Sequence, residues 1–299
     1  MSQELHKIIA VVGPTASGKS DLAVELALAF SGEVVSADSR QVYRGMDIGT
    51  GKITATEMKG VPHHLLDIAL PNEIVSAGDY KLLATHAISE ILERENLPII
   101  CGGTGFYIRA VAEGLVLPDV PPDPILREKL SQLSVDDLFT QLKEVDPERA
   151  NTIDAKNPHR LIRAIEIATA LGKVPQPQYT TPYETLYIGI AVPDEILRAR
   201  IHTRLVNRLD EGMIEEVVSL QKNGVSWERL DSFGLEYRYI ARYLQGLISR
   251  ENMEKELEIA IIHYAKRQMT WFKTNKNIHW IPLGDTQMAT NLVAQFLKM

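Results

Sequence analysis

One run of eight residues, Gly13-Pro14-Thr15-Ala16-Ser17-Gly18-Lys19-Ser20, limits what this chain can fold into more than any other stretch. It matches G-x-x-x-x-G-K-[ST] and lies between an apolar strand pattern, Lys7–Val12, and a helical pattern from about Lys19 to Phe30. In that setting the glycines let backbone N–H groups converge on phosphate oxygens. Lys19 adds a point charge, the helix N-terminus adds its partial positive charge, and Ser20 is placed to hold Mg²⁺ directly or through water. A loop that grips a diphosphate or triphosphate is therefore expected after the first strand of a parallel sheet.

The rest of the pattern extends that sheet. Strands are expected at Glu33–Ala37, more weakly at His64–Ala69, then at Pro98–Cys101, Leu186–Val192 and Ile278–Pro282. Gly32 reads as the stop of the first helix, and Ser76 with Asp79 three residues later reads as a capping box opening another. Strand–helix alternation of this kind predicts an α/β fold, a P-loop-type parallel sheet flanked by helices. A proline-rich linker, Leu117 to Pro124, interrupts it, and only helical periodicity follows to about Pro182. The clearest of these helices is Asn157–Leu171, closed by Gly172. Further helices are expected near Asp194–Asp210, Gly212–Gln221 and Glu251–Lys273. The expected organisation is a core over 1–116, an inserted all-helical domain over 117–185, and completion of the core over 186–299.

Composition narrows the setting. A chain of 299 residues can bury a large core without staples, and its single Cys101 rules out an intrachain disulfide or a cysteine-built zinc site. No stretch reaches the roughly 18–20 apolar residues of a membrane helix, and the first residues lack a secretory pattern, so a cytoplasmic protein with no membrane partner is expected. A net charge of −7 argues against wholesale coating of nucleic acid but leaves room for a local basic patch.

Several residues outside the loop carry chemistry. Asp38 follows a parallel strand at the end where ligands bind in open α/β sheets. It either accepts a proton from a nucleophile or supports Mg²⁺, or it merely caps the turn Ser39-Arg40-Gln41. Arg40 and Gln41 suit a base edge or a phosphate. Thr104, flanked by glycines after Cys101, either reaches the same site or only shapes a turn. The strand before it ends in Cys101-Gly102-Gly103, without the acidic residue that nucleotide hydrolases place there, which favours a transferase. Arg200, Arg204 and Arg208 share one helix face, a phosphate-facing stripe or a solvated surface; Arg160 and Arg163 pose the same choice. Adjacent histidines His63-His64 point to opposite sides of an extended segment and suit one metal ion poorly. Trp271 and Phe272 suit core packing better than base stacking.

These sets, with Asp38 to Arg44, Gly60 to Leu65, Gly102 to Tyr107, Asn157 to Glu166 and Arg204 to Met213, resemble the bacterial tRNA dimethylallyltransferases, in order and over nearly the whole chain. That family transfers a dimethylallyl group from its diphosphate to N6 of the adenosine 3′ of the anticodon, with Mg²⁺. The resemblance implies that Gly13 to Ser20 hold the diphosphate and Asp38 is the general base. It makes Thr104 and Arg208 supporting catalytic groups. It also implies tRNA contacts at Asp38, Ser39, Arg40, Gln41, Thr104, Arg127, His159, Arg160, Leu161, Ile162 and Arg163, in a monomer that meets the anticodon stem-loop. Glu236 stands where relatives commonly carry Gly, and His159 where Gln is common. Prenylation of free adenine nucleotides, a nucleotide kinase with Asp38 as base, and an RNA-binding module with a relic loop are the competing readings.

Overall fold

The computed structural model describes residues 5–298, which form two compact units: one from the described residues up to Gly114 and from Thr181 onward, the other Leu115–Thr180. In chain order the first unit opens with β1 (His6–Val12), α1 (Lys19–Ala29), β2 (Gly32–Ser36), the single turn α2 (Ala55–Met58) and β3 (His63–His64). Next come α3 (Ala77–Glu93), β4 (Leu97–Gly102) and α4 (Gly105–Ala112). The second unit holds β5 (Leu115–Val116), α5 (Pro124–Ser131), α6 (Val135–Val145), α7 (Pro147–Ala150), α8 (Pro158–Leu171) and β6 (Gln178–Tyr179). The chain then returns through β7 (Tyr183–Ala191), α9 (Asp194–Asp210), α10 (Met213–Lys222), α11 (Trp227–Phe233), α12 (Leu235–Leu244) and α13 (Arg250–Phe272). It closes with β8 (Ile278–Pro282) and α14 (Thr286–Lys298).

Six strands make one parallel sheet in the order β3-β2-β4-β1-β7-β8. Alternate residues of each strand face opposite sides. Ile8, Ala10, Val12, Val35 and Ile100 pack on Tyr80, Ile88 and Ile108 from α3 and α4. Ile9, Val11, Val34 and Ile99 pack on Leu22, Leu26 and Val293 from α1 and α14. Both faces are covered, so the strands read as continuous apolar runs. A third cluster joins Met46 to α9–α13 through Leu205, Val217, Tyr237 and Leu257.

The capping box forms as expected, with Ser76 and Asp79 exchanging side-chain and backbone bonds at the start of α3. Gly32 instead opens β2; the helix ends three residues earlier, at Ala29, and Ser31 makes the turn at φ 50°. The third strand shrinks to His63–His64, because Leu65 and Asp67 adopt positive φ and leave the ladder. Tyr183, Glu184 and Thr185 pair with β1 and so belong to the sheet rather than to the inserted unit. That unit is not wholly helical, since β5 and β6 pair antiparallel at its base. Its helices α6 and α8 meet through Leu138, Leu142, Leu161 and Ile165, and α8 runs from the Asn157 cap to Gly172 at φ 82°.

Candidate active site

The register places three loops side by side. Val12 lies opposite Gly102, and Ser36 opposite Cys101, so the carboxyl ends of β1, β4 and β2 open next to one another. From β1 comes the Gly13–Gly18 loop, from β2 the Asp38 turn, from β4 the Thr104 loop. Their close approach requires Gly102: a Cβ there would overlap the Ala37 carbonyl.

The phosphate loop is a tight wrap. Ser17 N–H donates to the Pro14 carbonyl at 3.3 Å, Ala16 sits at φ 61°, and Gly18 at φ 84° hands the chain to α1. Arg200 Nε holds the Ala16 carbonyl at 2.7 Å, and Thr15 N–H donates to Gln268 Oε1 at 2.8 Å. Lys19 Nζ folds back to the Pro14 carbonyl at 3.2 Å, and burial lowers its pKa from the ordinary lysine value. The fully buried Ser17 hydroxyl has no hydrogen-bond partner, an orphaned donor within the wrap.

Asp38 does two things at once. Its Oδ1 accepts from Arg40 N–H at 2.8 Å, which forms the turn, while the carboxylate lines a cavity of about 610 Å³ together with Thr15, Lys19 and Ser20. A cavity of this size is in the range of small-molecule sites. Thr104 Oγ1 accepts from Ser39 N–H at 3.1 Å, tying the two loops together. Arg204 and Arg208 line the same cavity, and their guanidinium groups lie against Gly51, where any side chain would collide with both. The arginine stripe therefore turns inward, with Arg200 on the loop and its two successors in the cavity, whereas Arg198 stays outside with Asp194. Phe233, Leu235, Ile259 and Tyr264 supply an apolar and aromatic wall from α11–α13.

The cavity floor is fixed from behind. Glu216 accepts from the N–H groups of Asp47, Ile48 and Gly49 at 2.7–3.0 Å and from the Tyr237 hydroxyl at 2.8 Å. Gln41 bridges within the unit, its amide donating to the Gly51 carbonyl at 3.1 Å and accepting from Ser36 at 3.3 Å. Gln41 also lines the cavity, with its side chain engaged in holding the floor. Arg40 lines the cavity and lies 5.4 Å from the Phe233 ring.

As a Mg²⁺ site the chain offers little alone. Among the described residues no group of three or more His, Cys, Asp or Glu could hold an ion. Ser20, in the cavity at the start of α1, fits an ion whose remaining ligands are diphosphate oxygens and water, which is the usual manner of Mg²⁺. His63 and His64 have separate partners, the Val61 carbonyl at 2.9 Å and Glu33 at 2.6 Å. Phe272 is core, and Trp271 carries Arg109 4.7 Å from its ring centroid.

In the helical unit, Glu166 is buried under two arginines. Arg127 grips it with two bonds at 2.9 and 2.8 Å, Arg163 pairs with it and also donates to the Val120 carbonyl, and Asp123 N–H donates at 2.7 Å. Burial would push the Glu166 carboxyl up, but the Arg127, Asp123 and Arg163 bonds outweigh it and hold it down to about 2. His159 and Arg160 are exposed and Ile162 half-buried. Leu161 is 0% exposed and packs in the unit's own core.

Sequence reasoning passed over the wall built by α12 and α13. Gln268, a buried polar residue inside a 23-residue helix, ties that wall to the phosphate loop. No helix among the described residues is long and apolar enough to cross a membrane.

Comparison with known proteins places this arrangement. The family model described as IPP transferase matches residues 41–275. The chain is 44% identical to tRNA dimethylallyltransferase 1 of Hahella chejuensis, over 94% of this chain and 93% of that one. It is 45% identical to tRNA dimethylallyltransferase 1 of Geotalea daltonii, over 93% and 91%. The crystal structure of a tRNA isopentenylpyrophosphate transferase from Bacillus halodurans aligns at TM-score 0.76 and 38% identity, covering 98% of this chain and 97% of that one. A eukaryotic dimethylallyltransferase captured acting on tRNA shares the fold at TM-score 0.81 and 24% identity, over 98% of this chain and 77% of that one. With a family model spanning most of its length and relatives at this identity across nearly all of it, the chain is a transferase belonging to the IPP transferase, or tRNA dimethylallyltransferase, family.

Proposed function

We propose that this chain transfers a dimethylallyl group from dimethylallyl diphosphate to N6 of the adenosine 3′-adjacent to the anticodon in tRNA. The observation that carries the reading is one cavity lined at once by a carboxylate, Asp38, by Lys19 of the phosphate loop and by two arginines, Arg208 buried and Arg204 half-buried. The adenine amine attacks the terminal allylic carbon, the carbon–oxygen bond breaks, and the electron pair leaves with the diphosphate. Lys19, Arg204, Arg208 and the loop amides are fixed donors aimed at that growing negative charge. The amine proton passes to Asp38, whose second oxygen is not needed for the turn. Thr104 keeps the Asp38 loop against the β4 loop. Mg²⁺, bound through Ser20 and diphosphate oxygens, would add charge neutralisation to the leaving group.

The base must leave the anticodon-loop stack to reach a cavity of this depth. Asp38, Ser39, Arg40, Gln41 and Thr104 in the sheet unit, and Arg127, His159, Arg160, Leu161, Ile162 and Arg163 on the helical unit, are the proposed tRNA contacts. The protein is proposed to act as a cytoplasmic monomer.

The test is incorporation of label from dimethylallyl diphosphate into unmodified tRNA, with AMP and ATP as parallel acceptors. Label on tRNA alone is expected; label on free nucleotides alone, or none from a folded sample, sinks the reading. Asp38→Asn preserves the turn and removes the base, so kcat should drop about a thousandfold while tRNA affinity stays nearly constant.

A further inference from the structure

Glu236 is a carboxylate inside a cavity built for an anion. It belongs to the first turn of α12, after Gly234 at φ 75°, and its side chain is only 13% exposed. Its one ion pair among the described residues is with Arg208, at 3.6 Å, too far for a hydrogen bond. Arg208 makes no shorter contact with any acid, and Arg204 has no ion pair among the described residues. The two guanidinium groups rest side by side against Gly51, on the loop that Glu216 fastens. Like charges so placed and so buried are unfavourable without a counter-ion. Glu236 supplies part of one.

The geometry points to Glu236 as a built-in counter-ion that neighbours the arginine pair and must yield it when a diphosphate group arrives. This rests on the diphosphate reading above. A loose 3.6 Å pair is easily exchanged for the short charge-assisted bonds a phosphate oxygen makes with arginine. Once Arg208 turns to the diphosphate, Glu236 is a buried anion beside another anion, and either swings away or takes up a proton. Binding is then opposed by the carboxylate's charge, and release of the diphosphate product is helped by it.

The surroundings set the sign of the pH effect. Arg204 and Arg208 face Glu236 from α9, Asp38 from the turn after β2, and the Tyr264 hydroxyl from α13, with Tyr237 beside it on its own helix. Glu256, His263 and Arg267 line the same cavity from α13. Burial raises the Glu236 pKa above the ordinary glutamate value, and Arg208 and Arg204 only partly oppose this. Loss of the Arg208 partnership and the approach of a diphosphate both raise it further. Protonation on binding therefore makes affinity rise as pH falls through that range.

The test is calorimetric titration of the full chain with inorganic pyrophosphate across mildly acid to neutral pH, in buffers of different ionisation enthalpy. Pyrophosphate itself titrates, so the readout is the difference between wild type and Glu236→Gln. The isosteric variant should bind pyrophosphate about tenfold tighter near neutral pH, a typical coupling between two charged groups, and lose part of the wild-type proton uptake. Glu236→Gly should tighten binding likewise and keeps the test alive if the glutamine variant misfolds. Equal affinity and equal proton uptake in all three proteins would overturn the counter-ion role and leave the diphosphate reading intact. Weaker binding by both variants would show that Glu236 positions Arg208 instead. No binding by any of them would remove the diphosphate reading itself.

Discussion

Two pairs of arginines in this molecule have opposite fates. In the helical unit, Arg127 and Arg163 converge on one buried carboxylate, Glu166, which satisfies them with short bonds. In the sheet unit, Arg204 and Arg208 face a cavity, with one carboxylate, Glu236, loosely placed beside Arg208. The first pair is finished by the fold and keeps a partly exposed outer edge. The second is left incomplete, and what would complete it has to come from outside. A satisfied cation stabilises structure, while an unsatisfied buried cation costs stability that a ligand can recover. Of the two, only the second has the marks of a binding centre for a fully desolvated anion.

The difference can be broken experimentally. Arg208→Ala should weaken pyrophosphate binding about a hundredfold, or about 3 kcal/mol, the upper end for bonds to a charged group, with little loss of thermal stability. Calorimetry with a melting curve on the same sample checks both. Glu166→Ala should do the reverse, lowering unfolding free energy by about 2 kcal/mol in urea while pyrophosphate affinity is unchanged. That figure is below the usual cost of breaking a buried ion pair because Arg127 and Arg163 are 39% and 35% exposed.

The same residue gives a pH prediction. Its folded-state value, about 2, is below the ordinary 4.5, so its stabilisation is present above about pH 4.5 and is lost as pH falls towards 2. Glu33, held down to about 2 by Arg94 first, then by Asn96 and His64 against its burial, contributes a similar slope. The wild-type acid transition minus that of Glu166→Gln isolates the helical unit. Arg204→Met should stabilise the unliganded protein by about 1 kcal/mol while weakening pyrophosphate binding. Its melting temperature rising without ligand, and failing to rise further with it, is the expected pattern. The smallest effect belongs to exposed Arg160: Arg160→Ala should leave stability alone and lower the salt slope of tRNA binding by about one.

What could be read in the sequence followed from locality. The phosphate loop is contiguous, and strand, glycines and lysine define it without any distant partner. Asp38 and Thr104 were legible because strand ends in a parallel sheet share an edge. The arginine stripe was visible but not its direction, since spacing of four says which residues share a face and not whether that face looks at water or at a ligand. Leu161 sits among polar and basic neighbours, and only the contacts of α6 with α8 show that it is core. Gly32 was misassigned because a helix-stop glycine and a glycine opening a crowded strand look alike; a Cβ there would press on Leu97. The positive φ of Leu65 and Asp67 that cuts β3 short has no local signature at all. The wall from α12 and α13 depends on residues far along the chain, and no local pattern marks Glu236 as facing the cavity.

Gln268 ties the Thr15 amide to the carbonyl of Gly103, across 253 positions of sequence on one side and 165 on the other. The cradle at the beginning of the chain is thus finished by a side chain that the ribosome adds near the end. A nascent polypeptide stopped short of that glutamine should fail to retain pyrophosphate however well its first strands have paired. Released at full length, it should acquire that ability.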